Sequence, residues 1–192
     1  MPLGVFKPIL PIIFFRGRSE STSKMETIIV GVTGASGTLI STTILKKLQN
    51  RVKRALIVSE TAYKVAEIEL KIKPNELDGL ADIVVRDESQ LTSLLPKAMI
   101  IAPCSMKTLA GVAWERTNSL ILKAAKKVLE KKLPLILVIR EMPWNIIHLK
   151  NMLQASMKGA TVMPPTIQPK AGQKSIVELV NDLADKIIEL CV

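Results

Sequence analysis

The chain is poor in the residues that build metal centres and covalent scaffolds. It has one histidine, His148, and two cysteines, Cys104 and Cys191, far apart and in no paired motif. A disulfide framework and a zinc site both need more ligands at closer spacing, so neither is expected, and no metal is assigned. Two isolated thiols suit a reducing cytoplasm. Aromatic residues make up only 3% of the chain, too few to supply stacking platforms for single-stranded nucleic acid. The basic residues form no dense block, which argues the same way. Near the N-terminus the apolar run from Ile9 to Phe15 is broken by Pro11 and is too short to cross a membrane. No small-residue cleavage site follows it, as a signal peptide would require. No repeat with a period of 20–50 residues is visible.

What is present is a chain of 192 residues, 48% hydrophobic, with a formal charge of +10. That length and composition suit one domain with a sizeable core. The charge calls for an anionic partner: nucleic acid, a membrane surface or a phosphorylated small molecule. Residues 1–24 differ in composition from the remainder and read as an N-terminal extension, either disordered or an arm that packs on a neighbouring subunit. Residues 25–192 read as the single domain.

Within that domain apolar runs alternate with helical periodicity. Strands are expected at residues 28–32, 54–59, 81–85, 98–103, 134–139 and 161–165, with Pro103 breaking the fourth. Helices are expected at 38–49, 60–71, 108–114, 119–131, 145–158 and 175–190. The alternation predicts an α/β fold: a Rossmann-like, doubly wound parallel sheet in a three-layer α/β/α sandwich, with right-handed crossovers. Ligands of such sheets sit at the carboxyl ends of the strands, so chemistry is sought there.

The first strand ends in "GVTGASG". Gly34, Ser36 and Gly37 let backbone approach an anion at a helix N-terminus, or serve only tight packing. The turn lacks the Lys-Ser/Thr of a P-loop, which disfavours nucleoside triphosphate hydrolysis. The second strand ends in Ser59 with Glu60 next; the hydroxyl suits a phosphate, the carboxylate a ribose in a nicotinamide site. The fourth runs into "PCSMKTLAG", where Ser105, Lys107 and Thr108 gather at a helix start, as ligand groups or as an ordinary N-cap. The fifth runs straight into Arg140 and Glu141, a phosphate or carbonyl holder beside a proton shuttle, or a structural ion pair. His148 reads as a packed or capping residue. Trp114 and Trp144 suit either stabilisation of an allylic cation or anchoring of an interface.

Taken together, "VGVTGASG", "LIVSETA", "IAPCSMKTLAG", "LPLILVIREMP", "IHLKNML" and "GATVMPP" resemble the UbiX/Pad1-like flavin prenyltransferases, flavoproteins once described as aromatic acid decarboxylases. The stretches occur in order from about Thr27 to Val180. The resemblance implies an FMN-binding cytoplasmic homo-oligomer, usually a dodecamer. It implies FMN contacts from Gly34, Ala35, Ser36, Ser59, Ser105, Met106, Lys107, Thr108 and Arg140, with Ser36, Glu69 and Glu141 as catalytic residues. The implied reaction joins a dimethylallyl group from dimethylallyl monophosphate to reduced FMN. Flavin N5 attacks, phosphate leaves and C6 closes a fourth ring, without a metal. The product serves a prenyl-FMN-dependent decarboxylase.

The donor half departs from the family pattern. Where the family has a phosphate-binding tyrosine this chain has Lys170, and two arginines fall at Lys123 and Lys186. A family lysine falls at Glu130, which would repel a dianion if it pointed inward. Lysine keeps the charge but loses the guanidinium fork. "AWERTNSL" also replaces a small, Gly-containing segment. The alternative reading is therefore a paralogue that binds or delivers FMN or its prenylated form without making it.

Overall fold

The computed structural model describes residues 26–165 and 175–191; the expected extension at 1–24 and Lys170 lie outside them. The order is β1 (Thr27–Val32), α1 (Thr38–Leu48), β2 (Lys53–Val58), α2 (Glu60–Leu70), α3 (Pro74–Asp78), β3 (Ile83–Val84) and α4 (Glu88–Ser93). Then come β4 (Pro96–Cys104), α5 (Met106–Ala113), α6 (Leu120–Glu130), β5 (Leu135–Ile139), α7 (Ile146–Met157), β6 (Ala160–Met163) and α8 (Ile176–Glu189). All pairings are parallel, in the order β3-β2-β1-β4-β5-β6. The chain winds outward from β1 in both directions, so the crevice between the ends of β1 and β4 is the switch point of the sheet.

The strands are apolar throughout because both of their faces are covered. Side chains alternate between them: Ile28, Val30 and Val32 enter one core with Ile44 and Leu45 of α1 and Ile187 of α8. Ile29, Leu135 and Leu137 enter the other with Leu109 of α5 and Val128 of α6. The period of two along the strands therefore assigns α1, α2 and α8 to one layer and α5, α6 and α7 to the other.

Helix starts follow local chemistry. Ser59, Asp87, Ser105, Ser119, Asn145 and Ser175 each accept a hydrogen bond from a first-turn N–H. His148 is a capping residue: its Nδ1 accepts from the Asn145 N–H at 3.4 Å, completing a capping box. Pro103 does not break the fourth strand, which continues to Cys104. Proline has no N–H to donate, and the ladder to β5 shifts register between Ile101 and Cys104. The short helices α3 and α4 were not expected; five or six residues show too little periodicity to read.

Among the described residues helix α7 carries an exposed apolar stripe. Ile146, Leu149, Leu153 and Met157 fall on one side at helical spacing and are 48–72% exposed. Among the described residues no helix is long and apolar enough to cross a membrane.

Candidate functional site

The ends of β1 and β4 are tied by one residue. The Thr33 hydroxyl donates to the Pro103 carbonyl at 2.7 Å and accepts from the Ser105 N–H at 2.9 Å. This clamp ties the β1–α1 turn to the start of α5 at the switch point.

Beside the clamp is a cleft of about 680 Å³, within the usual range for small-ligand sites. Gly34, Ser59, Ser105, Lys107 and Thr108, five of the residues expected from the sequence, stand on its wall. Its apolar surface comes from the ends of β2 and β3 and from the first turn of α6, including Ile57, Val84 and Ile121. Its hydroxyls are already engaged locally: Ser105 Oγ accepts from the Thr108 N–H at 3.3 Å and lies 3.1 Å from Thr108 Oγ1, and Ser59 caps α2. Capping aims these oxygens at the strand ends and leaves further lone pairs for a ligand. Gly34 is required by a close approach, since a Cβ there would lie 2.6 Å from the Cβ of Thr61 on α2.

The remaining expected residues do not line this cleft. The anion at the glycine-rich turn is intramolecular: the Glu69 carboxylate of α2. Glu69 accepts from Ser36 Oγ at 2.5 Å, from the Gly37 N–H at 3.0 and 3.1 Å and from the Thr38 N–H at 3.0 Å. Gly37 has φ 110°, a left-handed conformation that favours glycine. Burial works to raise the Glu69 pKa, but the hydrogen bonds from Ser36, Thr38 and Gly37 outweigh it and hold the carboxyl below its usual range. The aliphatic stem of Arg140 passes this turn, within 3.7 Å of where a Gly37 Cβ would stand. Ala35 is buried. Met106 donates its N–H to Glu141 Oε2 at 3.1 Å, which sets that carboxylate at the N-terminus of α5. Arg140 and Glu141 form no ion pair with each other or with another described residue.

Of the expected donor-phosphate cations, the described Lys123 and Lys186 do not meet on one chain. Lys123 lies on α6 and is ion-paired with Glu88 of α4; Lys186 is exposed in the last turn of α8. These helices cover opposite faces of the sheet, and neither lysine lines the cleft. Glu130 points to a smaller neighbouring pocket of about 410 Å³ and pairs with Lys126 at 3.7 Å. Among the described residues no group of three His, Cys, Asp or Glu gathers to hold a metal.

Sequence reasoning missed several cleft residues. Thr33 lay inside the quoted turn but carried no signal of its clamping role. Tyr63 donates to Asp78 at 2.7 Å, and Asp78 also pairs with Arg86 at 2.6 Å, bringing Tyr63 and Arg86 to the wall beyond β2. Burial and that bond push the Tyr63 hydroxyl up to about 12. Arg116 reaches the wall from "AWERTNSL", a segment singled out only as unusual.

A family model described as Flavoprotein matches residues 16–191. The flavin prenyltransferase LpdB of Lactiplantibacillus plantarum is 37% identical over 172 residues, covering 86% of this chain and 92% of that protein. The crystal structure of AnUbiX in complex with FMN and dimethylallyl pyrophosphate is similar with a TM-score of 0.83 at 31% identity, covering 87% of this chain and 92% of that one. A dodecameric FMN-dependent UbiX-like decarboxylase from Escherichia coli O157:H7 gives 0.81 at 32% identity, covering 85% and 93%.

Proposed function

The chain belongs to the flavoprotein family, among the UbiX-like flavin prenyltransferases, and on that premise we propose that it joins a dimethylallyl group from dimethylallyl monophosphate to reduced FMN. The observation that carries this reading is the meeting of Gly34, Ser59, Ser105, Lys107 and Thr108 on one cleft. The walls suit FMN: apolar surface for a planar ring, hydroxyls and cations for a phosphorylated tail, and a glycine where backbone must come close. Reduced FMN supplies a nucleophilic ring nitrogen, so the chain needs no nucleophile of its own.

The chain's own residues bind, orient and move protons. Ser59, Ser105, Thr108 and Lys107 would hold the tail, and Gly34, Ala35 and Arg140 the ring edge. Ser36 is oriented by Glu69, which fixes the direction of its hydroxyl hydrogen. Glu141 Oε2 is tethered by the Met106 N–H, while Oε1 has no hydrogen bond among the described residues and is free to take or give a proton. Lys123, Lys170 and Lys186 would attract the donor phosphate. Because Lys123 and Lys186 stand on opposite faces, the donor site is assembled from more than one copy, in line with a homo-oligomer of dodecamer type. The product would serve a prenyl-FMN-dependent decarboxylase in the cytoplasm. Residues 25–192 act as one flavoprotein domain, preceded by an extension.

The test is anaerobic incubation with reduced FMN and dimethylallyl monophosphate, with the pyrophosphate as a parallel arm. A flavin heavier by one prenyl group is expected; unmodified FMN at all donor concentrations refutes the reading. A second reading, a binding or delivery paralogue, is favoured by the pairing of Lys123 with Glu88 and of Glu130 with Lys126. It predicts flavin binding without turnover.

A further inference from the structure

We infer that Arg116 is a phosphate-binding residue of the cleft, contacting a phosphate monoester of the bound flavin or of the donor; the inference rests on the flavin reading above. Arg116 stands on the wall shared by the cleft and the smaller pocket behind it. Its backbone is fixed by a helix-ending turn. The Arg116 N–H donates to Gly111 O at 2.8 Å and the Glu115 N–H to Val112 O at 3.2 Å, which closes α5 in a Schellman motif.

The position after the helix end normally favours glycine, yet Glu115 occupies it with φ 54°. Its neighbours hold the turn instead. Glu115 pairs with Lys158 at 2.5 Å, and Trp114 Nε1 donates to Asn151 Oδ1 on α7 at 2.9 Å. Ser119, at the far end of the loop, caps α6. The side chains around Arg116 thus anchor the loop, and the Arg116 guanidinium has no ion-pair or hydrogen-bond partner among the described residues.

The surrounding charges leave it free for an external anion. Both carboxylates of the smaller pocket are taken by lysines, Glu115 by Lys158 and Glu130 by Lys126. Glu60 on α2 is the sole carboxylate among the cleft-lining residues. Of the three cations there, Arg86 is held by Asp78, which leaves Lys107 and Arg116. A guanidinium offers the planar fork that phosphate oxygens accept in pairs, which Lys107 cannot supply.

The test compares wild type with Arg116→Gln and Arg116→Lys. Affinity for FMN and for riboflavin, which lacks the phosphate, is read by flavin fluorescence, and KM is measured for dimethylallyl monophosphate. If Arg116 reads the flavin phosphate, Arg116→Gln weakens FMN by about tenfold or more and leaves riboflavin unchanged. If it reads the donor, flavin affinities stay put and KM rises by a similar factor. Arg116→Lys falls between, and the differences shrink as salt rises. All three constants within about twofold of wild type in a folded Arg116→Gln protein would overturn the inference while leaving the flavin reading intact. A wild-type protein that takes up no FMN would overturn both.

Discussion

Substituting Gly34 by alanine probes the link between the β1–α1 turn and the cleft. The new Cβ would stand 2.6 Å from Thr61 Cβ, 3.1 Å from Cγ2 and 3.3 Å from Oγ1. The first distance falls short of ordinary contact by nearly 1 Å, and Cβ is bonded to backbone, so no rotamer of Thr61 relieves it. Either the turn or the first turn of α2 must retreat, moving Gly34 and Ser59 apart on the cleft wall. Overpacking of this kind destabilises by about 1–3 kcal/mol, or roughly 2–12 °C in Tm for a chain of this size. A second substitution separates the cause from its alternatives. Thr61→Ala keeps the offending Cβ and should not rescue; Thr61→Gly removes it and should, less up to about 1 kcal/mol of helix propensity. Thermal melts with FMN titrations on the double-mutant cycle read both effects, with a favourable coupling of about 1 kcal/mol or more expected for Gly34→Ala with Thr61→Gly. A Gly34→Ala protein with unchanged Tm and FMN affinity, or rescue by Thr61→Ala equal to that by Thr61→Gly, would refute the steric argument.

The depressed pKa of Glu69 implies stability that is present above its unfolded value, about 4.3, and lost as pH falls through the lower folded value. Glu69→Gln should therefore melt below wild type at neutral pH, with the gap closing at acid pH; a gap constant from pH 7 to 3 contradicts this. Arg54, 7% exposed, is held by Asp82 through Nε at 3.0 Å and a second guanidinium nitrogen at 2.7 Å. Asp82→Asn should destabilise by about 1–3 kcal/mol in urea melts, because it strands a buried guanidinium; an unchanged midpoint would show that the pair is screened by water. Leu153→Asp places a charge in the α7 stripe and should shift the assembly to smaller species by light scattering; an unchanged mass means the stripe is not the subunit interface.

The alternation of β-runs and helical periods was readable because a parallel sheet covered on both faces needs continuous apolar strands, and helices repeat their apolar positions every three or four residues. The helix starts at Ser105 and Ser175 were readable because each caps through atoms within three residues. Single-turn α3 and α4 escaped because they carry no periodic signal. Thr33 and Tyr63 escaped because their contacts lie far along the chain, with Pro103 70 positions from Thr33 and Asp78 15 from Tyr63; Arg116 escaped because only the fold brings its loop to the cleft wall.

Local order along the chain thus determined the layers, the strand ends where chemistry gathers, and the residues that could grip a phosphorylated ligand. Only the tertiary structure decided which of them meet. It gave the N–H groups of Gly37 and Thr38 to Glu69 and put Lys123 and Lys186 on opposite faces of the sheet. Among the described residues it also left Arg116, on the cleft wall, without an ion-pair partner. Side-chain pairing across 30 or more residues follows from packing of whole elements, and a linear pattern with a period of two or four residues holds no record of it.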